Sequence, residues 1–147
     1  MKAIAPLCLS ALALAAGCAH RQDAAPPPVA AEAPAQADGH NARNSLDWAG
    51  AYEGTLPCAD CPGIRTRLVL HEHGAYELRT QYLDRQPHPT EVRGTFTWQA
   101  DGGTIVLDRA GNEQRYFVAE GRLIMLYQDG SRPSGPLASK YELMQVR

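Results

Sequence analysis

The sequence lacks several features that define large classes of protein. It has no basic patch, since 14 Lys and Arg stand against 16 Asp and Glu for a formal net charge of -2, and this argues against nucleic-acid binding. It has no run of about 20 apolar residues, which a helix needs to cross a bilayer. It also lacks a Ser/His/Asp arrangement, a glycine-rich phosphate loop and a motif-placed carboxylate pair. Without such motifs nothing supports catalysis, and we expect a protein that is not an enzyme.

The N-terminus has the pattern of an export signal. Residues 3–16 form an apolar stretch that is too short for a membrane span. It runs into LAAGC at 14–18, which resembles a bacterial lipobox except that Ala15 stands where leucine is usual. We therefore predict that Cys18 is acylated and anchors the mature chain; the alternative is an ordinary secretory signal in which this cysteine is incidental. Because Ala19 follows it, rather than Asp, the outer membrane is the expected destination.

The segment after the signal has the composition of a flexible tether. Residues 18–45 are rich in Ala, Pro, Gln and acidic side chains and show no hydrophobic period, so they bury too little apolar surface to offset the entropy of ordering. The expected organisation is a signal peptide over 1–17, a lipidated cysteine and linker over 18–45, and one domain over 46–147. A chain of 147 residues supports one domain of this size.

The expected domain alternates apolar and polar residues in short runs between turns. The alternation is clearest over 50–56, 64–70 and 76–82. Gly and Pro without alternation predict a long loop over 128–139. About eight short strands predict an all-β fold, either an up-and-down antiparallel barrel or a sandwich. The other inward-facing residues are expected at Val92, Gly94, Phe96, Trp98, Ile105, Leu107, Tyr116, Val118, Leu123, Met125, Tyr127, Tyr141 and Leu143.

Two of the 4 cysteines remain for chemistry in the domain, because Cys8 leaves with the signal and Cys18 is the predicted lipid site. Cys58 and Cys61 form a CxxC motif. An oxidising compartment permits a disulfide between them. Two thiolates also suit Cu(I) or Zn, although alone they make a weak site. A thioredoxin-like role is disfavoured because Pro62-Gly63 leads into a strand, and haem attachment would need His directly after the second cysteine.

The string at 48–70, WAGAYEGTLPCADCPGIRTRLVL, closely resembles the start of the N-terminal domain of the NlpE family of copper-resistance outer-membrane lipoproteins. Gly94-Thr95-Phe96-x-Trp98 and Tyr141-x-Leu143 also fit, so the resemblance covers nearly all of 46–147. It implies a lipocalin-like antiparallel barrel, an outer-membrane anchor and roles in copper homeostasis and envelope stress. Only Cys58 and Cys61 carry over as motif residues. Longer relatives add a C-terminal OB-like domain, which is not expected here.

Other residues are weaker candidates. His71 and His73 would share one face and are candidate accessory metal ligands, although an exposed polar turn is favoured. Asp60 is expected to form an Asx-type turn rather than to assist a metal. Met125 and Met144 offer soft ligands, but core packing is favoured. The hypotheses are a copper-linked module with Cu(I) as its candidate ion, a module that contacts an envelope protein partner, and a lipocalin-like carrier.

Overall fold

A closed antiparallel barrel of eight strands in up-and-down order forms the fold of residues 40–147, the part of the chain that this computed structural model describes. Each strand pairs with its sequence neighbours, and the last pairs with the first. The predicted barrel is thereby confirmed. The strands are β1 (Gly50–Leu56), β2 (Ile64–Leu70), β3 (Ala75–Tyr82), β4 (Thr90–Trp98), β5 (Thr104–Leu107), β6 (Arg115–Ala119), β7 (Arg122–Met125) and β8 (Glu142–Val146).

The alternation in the sequence sorts side chains between the inside and the outside of the barrel. On β2, Leu68 and Leu70 are buried, whereas Arg65 and Arg67 are exposed. Side chains fill the interior, as expected at eight strands, and this packing weighs against a carrier of small apolar molecules. The most deeply buried side chains, at most 2% exposed, are Tyr52, Thr66, Leu68, Leu70, Tyr76, Ile105, Leu107, Tyr116, Val118, Leu123 and Leu143.

The segment before β1 covers one end of the barrel with an aromatic side chain. The Trp48 ring packs edge-on against Phe96 and Trp98, with centroid distances of 5.8 and 5.3 Å. Its carbonyl oxygen accepts a hydrogen bond of 2.6 Å from the buried Tyr52 hydroxyl. This contact fixes the chain entering β1 to the core.

A single helical turn, α1 (Ala42–Ser45), precedes this tryptophan. Asn41 caps it by accepting a hydrogen bond from the Asn44 N–H, and the Arg43 N–H donates to the Gly102 carbonyl oxygen at 3.0 Å. The linker is expected to extend to residue 45. The structure instead places its last residues, 42–45, against the barrel. The reason is that Ala42 packs partly buried against the core. The expected signal peptide, Cys18 and most of the linker lie outside the described residues.

The loops alternate between the two ends of the barrel because neighbouring strands are antiparallel. The β1–β2, β3–β4, β5–β6 and β7–β8 loops share one end. The predicted long loop is present between β7 and β8 and ends in a 3-10 turn, Ala138–Tyr141. Tyr127 and Tyr141 therefore lie outside the strands to which alternation assigned them, since β7 ends at Met125 and β8 begins at Glu142. Within residues 40–147, no helix is both long and apolar enough to traverse a bilayer.

Asp108 completes the sheet where β5 stops pairing with β4. The register between these strands begins at Phe96, and just beyond it the Asp108 N–H donates to the Thr95 carbonyl oxygen at 2.9 Å. The Asp108 carboxylate accepts hydrogen bonds from the Thr95 N–H and the Tyr76 hydroxyl, both at 2.8 Å. These two bonds hold the pKa of Asp108 below its ordinary value. Burial raises the pKa of Tyr76. At neutral pH the Asp108 carboxylate is therefore ionised, whereas the Tyr76 phenol stays neutral.

Replacing Trp48 by alanine should destabilise the barrel by about 3 kcal/mol, because a large ring is lost from packed aromatic contacts. Urea unfolding followed by circular dichroism gives the free energy of unfolding without relying on tryptophan fluorescence. Leu137→Ala is the matched control, since this side chain is 62% exposed and its removal should cost less than about 0.5 kcal/mol. Equal losses for the two variants would contradict the packing role of Trp48.

Asp108→Asn should make unfolding less sensitive to acid. A carboxylate whose pKa is lower in the folded state stabilises fully above its ordinary pKa of 3.8 and loses that contribution as the pH falls through the lower folded value. The wild-type protein should therefore lose more stability than the variant below about pH 4. Urea midpoints measured between neutral and strongly acidic pH test this, and parallel pH profiles would show that Asp108 has no such role.

Candidate functional site

The cysteine loop, residues 57–63, joins β1 to β2 at one end of the barrel. Leu56 and Ile64 face each other in the register, so the loop leaves and re-enters the sheet at one place. Within it a disulfide joins Cys58 to Cys61, with their Cα atoms 5.3 Å apart. The disulfide interpretation of the CxxC motif is thereby confirmed.

Two contacts hold the cysteine loop against the β3–β4 loop. The Leu83 N–H donates to the Gly63 carbonyl oxygen at 3.0 Å. The Arg85 guanidinium donates to the Asp60 carbonyl oxygen at 2.9 Å and lies 2.9 Å from the Asp60 carboxylate. Gly63 has room only for hydrogen, because a Cβ there would lie 2.5 Å from a Thr55 methyl carbon.

Arg85 is a site residue that the sequence did not reveal. It contacts Asp60 across a separation of 25 residues, in a turn segment with no motif around it. Only the β2–β3 pairing, which brings Tyr82 opposite Ile64, places the two loops side by side. The side chain of Asp60 thus pairs with an arginine, in addition to any role within its own turn.

The cysteine loop groups three potential ligand atoms. The two Sγ atoms and one carboxylate oxygen of Asp60 lie within 4.8 Å of one another. Cys58 and Cys61 are half-buried, and Asp60 is exposed. Thiolates are the soft ligands that Cu(I) prefers, whereas a structural zinc site usually takes four ligands. The donor set would therefore fit Cu(I) better than zinc once the disulfide is reduced.

His71 and His73 lie at the opposite end of the barrel, at the turn between β2 and β3. The seven-residue strand β2 separates this turn from the cysteine loop. A strand of this length spans about 20 Å. The two imidazole rings stack with centroids 5.5 Å apart, and His71 Nε2 lies 3.6 Å from a Glu77 carboxylate oxygen. The structure thus places the candidate accessory ligands in the expected polar turn and does not bring them to the cysteines.

The two methionines differ in their surroundings. Met125 is partly buried against the core, as expected. Met144 is 51% exposed on β8, so the expectation of core packing is wrong there. Met144 neighbours the inward-facing Leu143 and therefore faces outward by the alternation of the strand.

A family of known proteins matches most of this barrel domain in sequence. The family model described as the NlpE N-terminal domain matches residues 52–136, which begin within β1, include the cysteine loop and extend past β7. The chain belongs to the NlpE family. The resemblance noted from the sequence is confirmed.

Two curated relatives are both lipoproteins. The chain is 33% identical over 92 residues to lipoprotein NlpE of Escherichia coli (strain K12), a match that covers 62% of this chain and 37% of that one. It is 30% identical over 110 residues to the 17 kDa lipoprotein of Treponema pallidum (strain Nichols), covering 67% and 70%. The match thus spans well under half of the E. coli relative.

One solved structure supports the fold, and a second one matches a shorter part of this chain. A protein from Shewanella oneidensis described as a lipoprotein aligns with a TM-score of 0.68 and 40% identity, over 73% of this chain and 96% of that one. The crystal structure of E. coli NlpE, described as the Cpx pathway activator, aligns at 31% identity over 58% of this chain and 46% of that one, with a TM-score of 0.48.

Removing the disulfide should cost about 2 kcal/mol, because cross-linking so short a loop restricts the unfolded chain only slightly. The variant Cys58→Ser/Cys61→Ser should remain folded, with a correspondingly lower urea midpoint. Dithiothreitol should lower the wild-type midpoint by a similar amount and leave the variant unchanged. Outright unfolding on reduction would show that the disulfide is more central to the fold than its loop length implies.

Proposed function

We propose that this protein is an outer-membrane lipoprotein that binds or senses copper through the cysteine loop and serves envelope-stress signalling. The single observation that carries the proposal is the loop itself, with its two sulfurs and the Asp60 oxygen within 4.8 Å. Membership of the NlpE family supports it, since the E. coli member is a Cpx pathway activator. The proposed function involves no catalytic residue.

Anchoring through Cys18 is the membrane half of the proposal. The LAAGC string at 14–18 and the relatives that are lipoproteins support it. Acyl chains on this cysteine would hold the barrel at the membrane surface through buried methylenes. The cysteine loop would then face either solvent or a protein at the same membrane.

Copper binding requires reduction of the disulfide first. A dithiol reductant supplies two electrons and two protons, so that the sulfur–sulfur bond becomes two thiols while the reductant forms its own disulfide. Cu(I) then displaces the two protons and binds both thiolates of Cys58 and Cys61. Arg85 already pairs with Asp60, so thiolates are expected to supply most of the affinity. The loop would thus respond both to redox conditions and to copper.

The proposal predicts that the reduced full-length protein binds one Cu(I) per chain in an anaerobic competition titration with a chromophoric Cu(I) chelator. Cys58→Ser/Cys61→Ser should abolish this binding. His71→Ala/His73→Ala is the matched control and should bind like wild type, because these side chains lie at the other end of the barrel. Binding that is absent, or equal in the cysteine variant, would remove the copper half of the proposal.

A second function is favoured by exposed apolar side chains at the same barrel end. Leu137 is 62% and Tyr82 is 40% exposed, and both lie beside or within loops at the end that carries the cysteine loop. Exposed apolar groups of this kind mark protein-contact surfaces when they cluster. In this alternative the disulfide only shapes a surface for an envelope protein. Full envelope-stress signalling by the cysteine double variant would favour it over copper sensing.

A further inference from the structure

The outer faces of β1, β2 and β3 form a groove of about 490 Å³ near the cysteine-loop end, here called the arginine groove. This volume is within the range of small-molecule sites. The groove lies outside the barrel, so the packed interior does not limit its use. Its main polar lining is Glu53, Thr55, Arg65, Arg67, Arg79 and Gln81.

The strand register concentrates positive charge in this groove. Arg67 on β2 stands directly opposite Arg79 on β3, and Arg65 precedes Arg67 by two positions on the same face. Residues two apart on a strand lie about 7 Å apart, and directly opposite residues lie about 5 Å apart. Like charges placed opposite each other are unfavourable in a sheet. The three arginines therefore occupy neighbouring positions on the outer face of the sheet, and no acidic residue stands between them.

The carboxylates around the groove leave this charge incompletely balanced. Arg67 pairs with Glu53, and Arg79 pairs with Glu91 at 3.0 Å. Within the described part of the chain, Arg65 makes no ion pair, and the residues opposite it are Thr55 and Gln81. Three arginines thus stand against two glutamates, of which only Glu53 lines the groove.

The existing ion pairs are of the exchangeable kind. The side chains of Arg67 and Arg79 are 45% and 55% exposed, and their partners Glu53 and Glu91 are 48% and 36% exposed. Exposed ion pairs contribute less than about 1 kcal/mol. An incoming anion can therefore take over part of these guanidinium donors at small cost.

We propose that the arginine groove binds a phosphate-type oxyanion carried by a small phosphorylated molecule or a lipid headgroup. A planar carboxylate offers two oxygens, which one guanidinium can satisfy, whereas a phosphate group presents three or four acceptors. Guanidinium groups match phosphate oxygens bidentately and remain charged at every physiological pH. Thr55 and Gln81 beside Arg65 supply neutral hydrogen-bonding groups. Because a bare phosphate is much smaller than the groove, the ligand carries a further group.

The test is calorimetric titration of the full-length protein in neutral detergent micelles. One arm uses inorganic pyrophosphate, and the other uses dihexanoyl phosphatidic acid, a soluble lipid with an exposed phosphate. Arg65→Gln and Arg79→Gln should each weaken binding at least about tenfold, since each removes a charge-assisted donor. Arg122→Gln is the matched control, because Arg122 is an exposed outer-face arginine on β7, 3.7 Å from a Glu142 oxygen.

Each outcome decides the proposal. Saturable binding of pyrophosphate with weaker lipid binding supports a free phosphorylated solute, and the reverse order supports a headgroup. No saturation by either probe up to about 10 mM would overturn the site. Equal binding by Arg65→Gln, Arg79→Gln and Arg122→Gln would also overturn it. None of these outcomes depends on the cysteines, so copper binding and phosphate binding succeed or fail separately.

Discussion

Closure of the sheet is the constraint on which the rest of this structure depends. β8 pairs with β1 through Ala51–Glu53 and Met144–Val146, and this pairing turns an alternating sheet into a barrel. Once the sheet is closed, every inward residue must share one interior, in which Tyr52, Tyr76 and Tyr116 are the largest of the fully buried side chains. A filled interior leaves the loops and the outer face as the places where this protein can bind other molecules.

The two ends of the barrel differ in structure. At one end Trp48 packs against Phe96 and Trp98, so the chain entering the barrel also covers its base. At the other end the loops are longer, and Arg85 fastens the cysteine loop to its neighbour. A rigid frame that supports an exposed, cross-linked loop suits recognition, because the loop keeps its shape without a core of its own.

The sequence predicted some parts well because their causes are local. The period of two over 50–56, 64–70 and 76–82 reproduces β1, β2 and nearly all of β3. The CxxC spacing was sufficient to nominate a disulfide, since two intervening residues keep the cysteines within bonding reach. The helical turn before residue 46 was missed because Ala42 packs against a core that draws residues from the whole barrel, from Tyr52 to Leu143. The site partner Arg85 was missed for the same reason.

What this sequence determined alone was the inside-to-outside pattern of each strand, the positions of its turns and the pair of cysteines, because each follows from neighbours in the chain. Tertiary structure decided which loops meet. It set Arg85 beside Asp60, kept His71 a strand length away from the cysteines and aligned Arg67 with Arg79. Those relations depend on strand register and barrel closure, which couple residues distant in sequence, and no local pattern encodes them.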